Sequence, residues 1–166
     1  MKKAGLVGIV FLSVLCSYAQ ASQFPDDLGE FPLLTEDKIM GVVEKFSMGE
    51  PVGDSFSVDI NGDKNPEKFI GTDCGQAGCF YCIFSPVEAE QYRLIGFVNL
   101  TRNFEVLETS HEGFHDLLDY WSLSAKEGDL NRFSYDSAKH RYDGIFIKPV
   151  SSDVADIVKP TYKPNR

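Results

Sequence analysis

Residues 110–121 read "SHEGFHDLLDYW", and the fold turns on whether this stretch is a helix or a hairpin. His111, Glu112 and His115 spell H-E-x-x-H. On a helix, that spacing sets two imidazoles one turn apart on one face, where they hold zinc while the glutamate activates water. The surroundings argue against the helix. Gly113 inside it costs about 1 kcal/mol relative to Ala. Strand-like "FEVLET" comes before it, and "LLDYWSL" follows directly. The third zinc ligand is missing from its extended-motif places, because positions 118 and 121 are Leu and Trp, and Glu127 is a short reach away. The stretch is therefore read as a turn between strands. Ser110, His111, Glu112, Gly113, Phe114 and His115 become a candidate partner-binding loop. A small zinc metallopeptidase using His111, Glu112 and His115 is the alternative.

Outward from this turn, short apolar or alternating runs recur with turn signals between them. They span 55–60, 67–72, 79–85, 91–100, 104–109, 117–123, 131–136 and 140–147. Such spacing predicts a mainly β protein, an antiparallel meander of sandwich or propeller-like form. One helix is expected at its N-terminal end. In "TEDKIMGVVEKF", Thr35 is a good N-cap, and Glu36 and Asp37 suit the positive end of the helix dipole. Ile39, Val42, Val43 and Phe46 form one apolar stripe.

The chain divides into four parts. Residues 1–21 read as a bacterial secretory signal peptide: two lysines, an apolar run and an Ala-Gln-Ala site. Residues 22–34 are an irregular arm, 35–147 a single β-rich domain, and 148–166 a loosely attached tail with three prolines. The expected location is periplasmic or secreted, with no membrane insertion after cleavage. Formal charge is −9, and loss of Lys2 and Lys3 with the leader takes it to −11. That acidity argues against nucleic acid and anionic membrane surfaces. It favours cations or a basic protein partner.

The segment "DINGDKNPEKF" carries metal-like spacing. Asp59, Asn61, Asp63 and Glu67 stand at positions 1, 3, 5 and 9, and Asn65 can offer a backbone carbonyl at position 7. Calcium wants six to eight oxygens from short side chains on a tight loop. An EF-hand does not fit, since Lys64 replaces the glycine at position 6 and Ile70 the glutamate at position 12. Calcium is the preferred reading, and an Asx-rich turn needing no metal is the alternative.

Three cysteines follow the leader, Cys74, Cys79 and Cys82. Four ligands would be needed for a structural zinc site. A redox pair at Cys79 and Cys82 would normally open a helix, whereas "CFYCIF" reads as strand. A Cys74–Cys79 disulfide across Gly75–Gly78 is the preferred reading, contributing about 2 kcal/mol. Cys82 would then be a buried small hydrophobe on the face shared with Phe80.

The loop at 59–67 resembles the calcium-binding hairpin loops of FG-GAP and related bacterial extracellular repeats. The order of motifs also resembles a group of small secreted bacterial β domains: Asp59-Ile60-Asn61-Gly62-Asp63, Cys74-Gly75-Gln76-Ala77-Gly78-Cys79, Ser110 to Leu117 with Gly113, Phe114 and Asp116, and Tyr142-Asp143-Gly144. Some proteins of similar build are calcium-binding inhibitors or immunity proteins against peptidoglycan hydrolases. The resemblance implies a non-enzymatic, calcium-binding protein whose partner is a peptidoglycan hydrolase; the acidic body favours a basic one, and an envelope structural module with calcium as a staple is a further alternative.

Overall fold

The computed structural model describes residues 31–47, 52–75, 78–101, 104–122, 127–151 and 158. The expected signal peptide and most of the arm and tail lie outside these residues. The described part is mainly β, with two antiparallel sheets and a single helix. The elements in chain order are β1 (Leu34–Thr35), α1 (Glu36–Phe46), β2 (Ser55–Val58), β3 (Glu67–Thr72), β4 (Cys79–Glu88), β5 (Gln91–Leu100), β6 (Glu105–His111), β7 (Phe114–Ser122), β8 (Glu127–Asp136) and β9 (Arg141–Ser151).

Strand order in the first sheet is β1-β5-β4-β3-β2, and in the second β6-β7-β8-β9. Strands β2 to β5 and β6 to β9 each run as a meander between sequence neighbours. The expected N-terminal helix is corrected: α1 is not the first element. Leu34 and Thr35 pair with Tyr92 and Gln91 before the helix begins, so the chain joins the sheet edge first. The expected loose tail is also shortened, because β9 continues to Ser151 against Glu127 of β8.

The central strands explain their continuous apolar runs by being buried on both faces. Phe69, Tyr81, Ile83, Ile95 and Val98 point into one core, which Leu117, Phe133, Tyr135 and Tyr142 of the second sheet complete. Ile70, Cys82, Phe84, Leu94 and Phe97 point the other way, onto α1 through Ile39, Val42 and Val43. Each such side chain contributes roughly 1.5–3 kcal/mol on burial. The helix covers its sheet face with the apolar stripe read from the sequence, while Glu36 pairs with Lys68 of β3. Ser47 ends the helix, its N–H donating to the Val43 carbonyl. Thr35 holds the N-cap position without a side-chain cap bond; its hydroxyl donates to Asp37 instead. No helix among the described residues is long and apolar enough to cross a membrane.

The Cys74–Cys79 disulfide is formed, and Cys82 is a buried free thiol. Burial pushes the Cys82 thiol up to about 12, which keeps it protonated and unreactive. The disulfide closes a turn in which Gly75 N–H donates to the Gly78 carbonyl at 2.8 Å.

Candidate functional site: a braced hairpin beside an Asp-rich loop

The opening stretch is a hairpin. Strand β6 ends at His111 and β7 begins at Phe114, so Glu112 and Gly113 alone make the turn. Both have positive φ, 49° and 87°, the primed geometry that follows the right-handed twist of the strands. The register pairs His111 with Phe114 and Ser110 with His115. Successive strand residues face opposite sides, so the two imidazoles register on opposite faces of the ribbon. The helical face that zinc-peptidase geometry requires is absent from this stretch. His115 Nδ1 is instead buried with no hydrogen-bond partner among the described residues.

Asp116 braces the hairpin from beneath. Its carboxylate is fully buried and accepts hydrogen bonds from the Thr109 hydroxyl at 2.8 Å and from the Arg132 guanidinium. His111 Nδ1 lies 3.0 Å from the other oxygen. Burial opposes the charge on Asp116. The bonds from Arg132, Thr109, Ser134 and His111 outweigh it and hold the carboxyl below the usual carboxylate range. An ionised Asp116 only accepts, so His111 carries its proton on Nδ1. The ring stays about half exposed while its orientation is set.

The Asp-rich loop is joined to this hairpin through the backbone. His115 N–H donates to the Ile60 carbonyl at 2.7 Å. The Tyr142 hydroxyl donates to the His115 carbonyl at 2.6 Å. Within the loop, Asp59 Oδ1 accepts from the N–H groups of Asn61 and Gly62, and Oδ2 from that of Lys64. Asn61 Oδ1 accepts from Asp63 N–H, and Asp63 Oδ1 from Asn65 N–H. Lys64 takes the left-handed conformation (φ 72°) that glycine usually fills in such loops.

The ligand set expected from the sequence divides. Asp59, Asp63 and Asn65 are exposed and Asn61 half-buried on the loop, where their oxygens suit a hard cation. Glu67 is fully buried beneath it. One Glu67 oxygen accepts from Ile60 N–H at 2.9 Å and the other from the Ser85 hydroxyl at 3.1 Å. Burial raises its pKa, against the lowering effect of these bonds. Glu67 therefore fastens the loop to the sheet, and the nearby Asp63 charge adds to the rise in its pKa. Among the described residues, no three or more His, Cys, Asp and Glu gather as a metal cluster.

An open groove of about 700 Å³ runs beside the hairpin. It is lined by the hairpin tip from Ser110 to Glu112, by the end of β8 from Ser134 with Ser137, and by Asp143 to Ile145 of β9. Lys139 pairs with both Asp136 and Asp143, and Arg141 Nε lies 3.3 Å from the second Asp143 oxygen.

Sequence reasoning missed one buried carboxylate. Asp119 of β7 accepts from both the N–H and the hydroxyl of Thr101, at the end of β5, and so ties the two sheets together. Burial pushes its pKa up to about 6 despite these bonds. The signal was present: Asp119 alternates with core Leu117, so period two places it inward.

No protein-family model, curated protein or solved structure matches the chain.

Proposed function

We propose that this is a secreted or periplasmic, non-enzymatic binding domain whose contact element is the β6–β7 hairpin. One observation carries the reading: Ser110, His111, Glu112 and Gly113 are all exposed, on a two-residue turn whose base is pinned by the buried Asp116 carboxylate. A rigid exposed tip loses little conformational freedom when it binds, which favours affinity. Acidity favours a basic protein partner, and a peptidoglycan hydrolase is the partner class that the motif resemblance implies. The disulfide supports an oxidising compartment. A core shared between the two sheets supports a sandwich over a propeller. Calcium at Asp59, Asn61 and Asp63, with the Asn65 carbonyl, would stiffen the loop next to the hairpin. Glu67 supports that loop from below.

Affinity capture tests the reading, using the purified protein against envelope extracts of its own and competing bacteria, with and without calcium. The expected result is a basic hydrolase whose activity falls when the protein is added. Failure to bind or inhibit any lysozyme- or amidase-type hydrolase contradicts it.

A further inference from the structure

We propose that the groove between the β6–β7 hairpin and the start of β9 receives an arginine or lysine side chain of the protein partner, in place of the chain's own Lys139. This rests on the protein-binding reading above and deepens it. Three independent features converge in the groove. It is concave, and its volume of about 700 Å³ lies within the range of ligand-sized clefts. Its lining is rich in oxygen: carboxylates of Glu112, Asp136 and Asp143 stand with the hydroxyls of Ser110, Ser134 and Ser137. Its wall includes Ile145, which is 58% exposed although it stands in a paired strand.

A long basic side chain matches that combination. Its aliphatic stem covers apolar surface while its charged head reaches carboxylates. The carboxylates already hold an ammonium group, since Lys139 pairs with Asp136 and Asp143 at once. Lys139 is itself half exposed on the 137–140 turn, and exposed ion pairs of this kind are weak. An incoming guanidinium can offer two parallel donors where the ammonium offers a point charge, which is the advantage it would have in replacing Lys139. Arg141 keeps its contact to the far oxygen of Asp143 and leaves the near one to the exchanging cation.

The test is a titration of ¹⁵N-labelled protein with N-acetylarginine amide, followed by amide chemical shifts. N-acetylcitrulline amide, of the same shape without the charge, is the control. Saturable shifts are expected at Glu112, Ser137 and Gly144 with the arginine probe alone. Lys139→Ala should tighten binding by roughly two- to fivefold by removing the competing ammonium. The double variant Asp136→Asn, Asp143→Asn should weaken it by at least as much. Shifts scattered over the acidic surface overturn the proposal. So do equal shifts with the citrulline probe, or an unchanged or weaker affinity in Lys139→Ala. If the probe binds as expected but no hydrolase is captured, the hydrolase reading fails and the groove stands. If a partner binds and the probe does not, the groove assignment fails alone.

Discussion

The backbone N–H of His115 donates to the carbonyl of Ile60 at 2.7 Å, joining the hairpin to the Asp-rich loop. The N–H of the same Ile60 is held by the buried Glu67 carboxylate. Glu67, Ile60 and His115 thus form one chain of bonds from sheet to loop to contact hairpin. Glu67→Ala would leave Ile60 N–H buried and unpaired, with an expected loss of about 1–3 kcal/mol. Amide exchange at Ile60 and His115 should accelerate together. Glu67→Gln keeps an acceptor for Ile60 and a donor for Ser85, so stability at neutral pH should hold or rise. Equal losses in both variants, by denaturant unfolding, would contradict this role.

Asp116 is fully buried, while its partner Arg132 is about one-third exposed. Asp116→Ala removes the acceptor for Thr109, Arg132 and His111 and should cost about 1–3 kcal/mol after allowance for solvent around Arg132. The hairpin tip should lose exchange protection while α1 keeps it. A ¹H–¹⁵N spectrum showing uniform loss of protection across both sheets would show that Asp116 supports the whole fold instead of the hairpin.

Asp119 sets a pH dependence with a definite sign. Its folded pKa is raised to about 6 from the ordinary 3.8. The folded chain therefore keeps a proton that the unfolded chain releases. This group's stabilisation is fully present below about pH 4 and is lost as pH rises through 6, by about 3 kcal/mol at most. Asp116 acts with the opposite sign, because its pKa is lowered; its contribution is lost only on acidification through its folded pKa, below 3.8. Asp119→Asn retains bonds to Thr101 if the hydroxyl turns to accept. That variant should abolish the fall in unfolding free energy between pH 4 and 6. A wild-type slope that persists in Asp119→Asn assigns the effect to another group, with Glu67, whose pKa is also raised, as the next candidate.

The side-chain oxygens of exposed Asp59 and Asp63 and half-buried Asn61 predict a calcium-dependent rise in melting temperature. Saturation at a hundred times Kd corresponds to about 2.7 kcal/mol. Asp63→Ala should abolish the shift. Glu67→Gln should preserve part of it, because Glu67 faces the core. Identical melting with calcium and with chelator would remove calcium from the account.

Much of the fold was legible as alternation between turn signals. Strands β3 and β5 end where the sequence places them, because a polar turn bounds each side. The start of β7 was not legible, since a turn with Glu112 at positive φ lacks the usual Asn-Gly or Asp-Gly signal and lies inside a helix-like motif. Nor does any local pattern show that β5 and β6 belong to different sheets; that depends on which apolar faces meet. The motif positions Gly113, Phe114, Asp116 and Leu117 each have a place in the fold: turn, ring packing, buried brace and core. His111 and Glu112, just before them, are exposed. Glu67 shows the limit of spacing arguments. Its place in the acidic loop carries no sign that the carboxylate is fully buried and accepts from Ile60 N–H.

The most direct test of the central claim is titration of a captured basic hydrolase with wild-type protein and with Glu112→Lys, followed by residual cell-wall lysis. Glu112 is exposed at the tip, so the charge reversal leaves the buried brace intact. Wild type should inhibit to completion near one equivalent, and Glu112→Lys should weaken inhibition at least tenfold with an unchanged melting temperature. Undiminished inhibition by Glu112→Lys, or full lysis at excess wild type, would contradict a binding function centred on this hairpin.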